Sequence, residues 1–179
     1  MSLIKISDQS TTNQATTTFT GFTTDYDIHV LKIRNVRTSG TNSYLDARFT
    51  TATPSAGTPI TTTNYKYGSW YDHSQFTIGQ LNSTAQSYND KWRFTYISQN
   101  TNGDGYNYEM WIYYAADATR PTFAHWNGVG MANANAVAHH HGGVSLNQNI
   151  AVDGIQIFPI SGSHNVAQAD ITLYGLKES

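Results

Sequence analysis

The sequence contains no cysteine. Disulfide staples, thiol nucleophiles and thiolate metal sites are therefore all excluded. Charge is scarce as well: Asp, Glu, Lys and Arg make up 12% of the 179 residues, about half the usual share. Only two glutamates occur, Glu109 and Glu178. A formal net charge of −2 gives no electrostatic support for binding phosphates or nucleic acid. The single basic cluster, Lys32, Arg34 and Arg37, reads as a solvated strand face, with Lys32 and Arg34 on one side. No apolar run approaches the roughly 18 residues that a membrane span needs. The Leu3–Ile6 stretch is too short for a secretion signal. Neither membrane insertion nor Sec export is expected.

Threonine, small polar residues and aromatics fill the chain instead. There are 24 Thr, 15 Asn and 15 Ser, and aromatics reach 13%. Threonine and tyrosine suit pleated, half-buried surfaces, whereas Asn, Gly and Ser suit turns. The length fits one domain with a sizeable core. A polar surface carrying few charges suits subunit or sugar contacts better than electrostatic steering.

Two regions are expected. Residues 1–25 hold a short strand candidate at Leu3–Ile6, then a Thr/Asn/Gln-rich stretch without hydrophobic period, read as an extended arm or anchor. Residues 26–179 form the main domain, with no internal boundary and no repeat. Strand candidates run through it: 26–36, 44–50, 64–71, 75–78, 91–98, 106–114, 123–126 and 144–146. Leu45, Ala47 and Phe49 are expected inward, with Asp46 and Arg48 outward. Trp92, Phe94 and Tyr96 alternate against Arg93, Thr95 and Ile97, and Tyr106, Tyr108, Met110, Ile112 and Tyr114 share a face. The phase change between Val30 and Leu31 predicts a bulge or a strand covered on both faces. The Asn100–Gly105 stretch carries a hairpin turn signal, and one helical turn is allowed near Ile78–Leu81. About nine or ten strands without a firm helix predict an all-β, jelly-roll-like antiparallel sandwich.

The chain closes on two strands, Asp153–Pro159 and Ala169–Lys177, joined by a polar loop with a Ser161-Gly162 turn. Ile155 and Ile157 share one face of the first, and Ile171 and Leu173 one face of the second. This ending, with Tyr26–Val36 and Tyr44–Phe49 at the start, resembles the jelly-roll modules of bacteriophage virion proteins: decoration proteins, head fibres, tail fibres and tailspikes. The resemblance spans residues 26–177 and rests on strand-and-turn patterns. It implies a two-sheet sandwich in a virion, made in the host cytoplasm. It also implies a homo-oligomer, with a trimer favoured, and contact with a host-surface glycan. Residues 1–25 would then attach the protein to other virion components.

Several strings bear on chemistry. Trp70, Tyr71 and Asp72, with Trp126 and Asn127, are the candidate glycan contacts, since rings stack on sugar C–H faces and amides or carboxylates bond hydroxyls. The same rings also suit a core or an interface. His139-His140-His141 reads as a solvent loop; were it a strand, His139 and His141 alone would share a face, as metal candidates needing a further ligand from His125, His164 or Asp153. Asn100, Asn102 and Asp104 have the spacing of a calcium loop, but Trp111 stands where the bidentate glutamate belongs. Glu109 with Asp72 or Asp46 is the only carboxylate pairing to consider for a glycosidase. No Gly-x-Ser-x-Gly occurs, and Gly128-Val129-Gly130 lacks the third glycine of a phosphate loop. The expected protein is a non-enzymatic, self-assembling virion component, a capsid decoration or short head or tail fibre, that uses no cofactor and touches no nucleic acid. The alternative is a glycan-binding module for host-surface recognition.

Overall fold

Apolar and polar side chains alternate through much of residues 26–177, and alternation makes strands. The computed structural model describes residues 2–40, 43–61, 64–73, 76–97, 105–133, 136–160 and 162–177, and among these no helix occurs. The strands are β1 (Ser2–Gln14), β2 (Thr17–Thr20), β3 (Ile28–Thr38), β4 (Ser43–Thr51) and the short β5 (Thr58–Pro59). An antiparallel pair follows, β6 (Tyr65–His73) and β7 (Phe76–Asn89), then β8 (Trp92–Ile97) and β9 (Tyr106–Tyr113). A second pair, β10 (Phe123–Asn133) and β11 (Ala136–Leu146), precedes β12 (Gly154–Pro159) and the closing β13 (Val166–Lys177).

Two antiparallel sheets share one core, so the expected all-β sandwich is what the chain forms. The larger sheet has eight strands in the order β1-β13-β3-β9-β10-β11-β6-β7. The smaller runs β2-β12-β4-β5, with β8 also paired to β4. Without β5 and the two inserted pairs, the sheets read β1-β13-β3-β9 and β2-β12-β4-β8. Consecutive strands then cross from sheet to sheet except between β4 and β8, which is jelly-roll connectivity. The inserted pairs lengthen the larger sheet beyond β9.

Several expectations change at this level. Residues 2–20 are not an arm outside the sandwich: β1 pairs with β13 from Ser2↔Lys177 to Gln14↔Val166, and β2 pairs with β12. The chain's first two strands are thus two of the eight that make the jelly roll, and Phe19 and Phe22 belong to the core. The Asn100–Asp104 turn lies outside the described residues, but the strands it was expected to join are in opposite sheets, so that connection is a crossover. Ile78–Leu81 falls inside β7 and is extended. Pairing of β3 is continuous at Val30 and Leu31, and both are fully buried. Val30 has Trp111 and Tyr174 as its cross-strand neighbours, so both faces are covered there and no bulge is present.

A bulge sits elsewhere. Leu45 pairs with Thr95 and Asp46 with Arg93, which leaves Phe94 as the extra residue of β8. Phe94 and Thr95 are consequently both buried, Ile97 follows them inward, and Tyr96 is turned partly outward. Tyr114 also departs from its expected face. It leaves the strand with a φ of 56°, its N–H donating to the Asp27 carbonyl at 2.8 Å.

Aromatic packing fills the space between sheets. Trp92 lies 4.7 Å from Phe49 and 5.4 Å from Tyr65, ring centre to ring centre, and Phe94 lies 4.8 Å from Tyr108 and 5.8 Å from Trp126. The buried Tyr65 hydroxyl accepts from the Phe49 N–H and donates to the Ile60 carbonyl, so burial leaves it satisfied. Asp46 is outward on the smaller sheet as expected, yet it is buried beneath Arg93 (2.8 Å) and Lys91 (3.6 Å).

His29 is the buried titratable group of the jelly-roll end. It is enclosed by Phe22 and Tyr26, and its Nε2 accepts the Thr23 N–H at 3.2 Å, so Nδ1 carries the proton. Nδ1 is buried and unpartnered, and burial lowers the pKa from 6.5 to about 4. Between those values the unfolded chain takes up a proton that the folded chain refuses. The contribution is full above the unfolded pKa and is lost as pH falls towards about 4, an effect of up to about 3 kcal/mol. His29→Gln keeps an acceptor and removes the titration. Denaturant melts should show the wild-type advantage over this variant shrinking between pH 6.5 and 4; an advantage constant with pH would contradict the assignment.

Candidate functional site

Because side chains alternate, each strand of the extended sheet sends one set into the core and the other to the outer face. On β9, Tyr106, Tyr108, Met110 and Ile112 point in, which leaves Asn107, Glu109, Trp111 and Tyr113 outside. On β10, Ala124 and Trp126 point in, so Phe123, His125, Asn127 and Val129 face out. On β11, Ala138 and His140 are buried and Val137, His139 and His141 are outside. Strand β6 contributes Trp70 and Asp72 outward, between the inward Ser69 and Tyr71.

Antiparallel register then sets these residues in rows across the strands. One row runs Asp72, His139, Val129, Asn107. The next runs Trp70, His141, Asn127, Glu109, Lys32. The third runs Gly68, Gly143, His125, Trp111, and its two glycines leave the sheet low beside His125. A Cβ added at Gly68 would meet nothing within 4 Å.

A groove of about 600 Å³ opens on this face, lined by Lys32, Arg34, Glu109, Trp111, His125 and Asn127 among others. Trp111 stacks on His125 in it (6.4 Å, 4°), and the stack continues beside the groove through Tyr113 (5.8 Å from His125) to Phe123 (4.6 Å, 15°). The Trp111 indole N–H donates to Glu109 at 2.8 Å, and Lys32 Nζ reaches the other Glu109 oxygen at 3.6 Å. Glu109 is thereby held between an indole and an ammonium, with its remaining lone pairs free for a hydroxyl. Phe123, Val129 and Val137 are 41%, 47% and 48% exposed on this same face, an apolar character at odds with an idle surface.

Trp70, Asp72 and Asn127 do share this outer face. Tyr71 and Trp126 lie on the other side of the sheet. Tyr71 packs on His140 at 4.5 Å, and Trp126 is 1% exposed, its indole lying over Gly142 and against Phe94. Trp126 is therefore closed to a surface sugar, and Tyr71 stands apart from the outer-face residues. The histidine string is strand, not loop: His139 and His141 face out, and His140 is buried between the sheets. The Thr95 hydroxyl bonds His140 Nδ1 at 3.1 Å and also the Tyr108 hydroxyl, and Tyr106 and Tyr108 close around the ring edge-on. Burial first, then the neighbouring His139 and His141, lowers the His140 pKa to about 3, so that ring is neutral.

Glu109 and Asp72 are three strands apart, roughly 14 Å at the usual strand spacing. Glycosidase pairs lie about 5–9.5 Å apart. Asp46 is on the other sheet, engaged with Arg93. The carboxylate pairings open in the sequence therefore do not form a hydrolytic pair. Lys32, Arg34 and His125 join the groove only through register, although the inward period of β9 already sends Glu109 and Trp111 outward.

Compared with family models, curated proteins and solved structures, the chain matches none. The fold and its open aromatic face are therefore the basis for reading function. The inward placement of Trp126 has a direct consequence. Trp126→Ala should cost about 3–5 kcal/mol of stability. Outward-facing Asn127→Ala should cost less than about 1. Comparable losses in the two variants, read by thermal melts, would contradict the assigned faces.

Proposed function

We propose that the protein is a carbohydrate-binding jelly-roll sandwich that holds a glycan against the outer face of its larger sheet. The carrying observation is the groove itself: stacked rings at one end and Glu109, Asn127, Lys32 and Arg34 beside them, on a face that no other layer covers among the described residues. Sugars present apolar C–H faces and hydroxyl edges, and this surface offers rings for the first and fixed donors and acceptors for the second. In this reading Trp111 provides the stacking edge, Glu109 accepts hydroxyl protons, and Asn127 offers its side-chain amide. Lys32 and Arg34 donate. The role is binding without turnover.

A glycan array probed with the native protein tests this directly. A bound sugar class is expected, and Trp111→Ala should weaken it about tenfold or more. An array left blank by the native protein would sink the reading.

A specific feature also favours self-association, which a virion role would use. Strand β1 ends the larger sheet, so one of its edges has no partner strand among the described residues, and Leu3 and Ile4 are exposed along it. Open edges pair with other chains unless blocked. In this second reading the first strand still makes the attachment expected of residues 1–25, but through its free edge and not as a loose arm. Sedimentation of the native protein should show concentration-dependent association, and replacing Leu3 and Ile4 together with lysine should abolish it. A native protein that stays monomeric at high concentration would remove this reading.

A further inference from the structure

Beside the groove, the extended sheet brings two imidazoles and a carboxylate together. His139 and His141 are two residues apart on β11, and Asp72 is the direct cross-strand neighbour of His139 on β6. Each can present one ligand atom, and the three atoms lie within 4.8 Å of one another. The imidazole rings of His139 and His141 are 5.2 Å apart.

The hydrogen bonding of His139 shows what the cluster is arranged to hold. Its Nε2 lies 2.6 Å from Asn127 Oδ1, which can only accept, so Nε2 carries the ring proton. Its other nitrogen, Nδ1, faces Asp72 Oδ2 across 3.8 Å. A ring nitrogen and a carboxylate oxygen turned toward each other need a cation between them, a proton or a metal ion. Metal-bound histidines commonly donate their second N–H to an oxygen in this way, which fixes tautomer and ring angle. His141 adds a second mark: its Nδ1 is shielded from solvent and has no hydrogen-bond partner, while its ring stacks on Trp70 at 6.3 Å and 23°.

We propose that Asp72, His139 and His141 bind a divalent transition-metal ion of the zinc class on the outer face of the larger sheet, with Asn127 as the positioning residue for His139. Zinc takes such nitrogen and carboxylate ligands at about 2.0–2.2 Å, which sets tetrahedral ligand atoms roughly 3.5 Å apart. Closing from 4.8 Å takes side-chain rotation of about 1 Å, available to partly exposed residues. Calcium and magnesium demand more oxygen ligands than the cluster has. Three protein ligands leave the fourth position of zinc to solvent or to an exogenous donor. The ligands stand on paired strands, so the backbone ladder holds them in register. This inference does not rest on the glycan reading, because the ion is measured without sugar.

The test uses the full-length chain, untagged and stripped with a chelator. Zinc titrated calorimetrically should bind at about one ion per chain, and cobalt should give the visible absorption of a tetrahedral site. Magnesium and calcium should give no signal. Asp72→Asn, His139→Ala and His141→Ala should each weaken zinc by more than about tenfold. His164→Gln, on the far loop near Ser39, should leave it unchanged. Nitrogen-15 spectra of the histidine rings test the native chain without substitutions: zinc should shift Nδ1 of His139 and leave its Nε2 protonated. Absence of zinc binding, undiminished binding in all three ligand variants, or coordination through Nε2 of His139 would each overturn the proposal.

Discussion

The buried His140 is the point on which the extended sheet turns. A strand's side chains alternate, so a slip of one residue would send His140 to solvent and His139 and His141 into the core. The inward position is specified by the Thr95 hydroxyl on Nδ1 and by the Tyr71, Tyr106 and Tyr108 rings around it. Thr95 points inward only because the bulge at Phe94 reverses the phase of β8. One extra residue in the smaller sheet thus secures the register of β11 in the larger one. That register in turn places His139 opposite Asp72 and His141 opposite Trp70. Neutrality of His140 belongs to the same arrangement, since an imidazolium between sheets would carry an uncompensated charge.

The inserted pairs extend a face that is already open over β3 and β9. In the jelly-roll part, β3, β9 and β13 are backed by the smaller sheet across the core. Beyond β9, strands β6 and β11 have β8 beneath them, and nothing described lies above. Rings are sorted accordingly. Trp92, Phe94, Trp126 and Tyr108 pack inside, while Trp111, Tyr113, Phe123 and Trp70 stand outside among polar groups. Stability is carried on the inner face of these strands and the proposed recognition on the outer, so an outward substitution would alter binding without opening the core.

Much of this was legible before any coordinates, and the failures have physical causes. Alternation identified β3, β4, β6, β8, β9, β12 and β13 and the inward set on β9, because a period of two survives without tertiary context. It caught only parts of β7, β10 and β11 and missed β2 and β5. It misplaced the faces of β8, where the bulge at Phe94 inverts the phase and nothing local announces it. Asn100–Gly105 has turn chemistry, but turn residues do not say whether the next strand pairs back or crosses to the other sheet. Residues 1–25 look like an arm because β1 is an edge strand, mostly exposed, with no apolar face to show. Trp126 entered the candidate site through its neighbour Asn127, although neighbours on a strand face opposite ways. Asp72 was assigned to sugar and His139 to metal, since only the β6–β11 register shows that they touch.

Asn127 is where the two outer-face features meet. It lines the groove, and its Oδ1 accepts the His139 Nε2 proton at 2.6 Å. A ligand hydroxyl that took Oδ1 would free the His139 ring to turn, and an ion on Nδ1 would make Nε2–H a stronger donor and hold Asn127 more firmly. Under the two proposals each occupant would act on the other through one hydrogen bond. The sign depends on which end of the amide the ligand engages. Engagement of the amide nitrogen leaves the His139 bond intact and permits both occupants. Engagement of Oδ1 makes them compete. By linkage, whatever one site does to the affinity of the second is returned in equal measure.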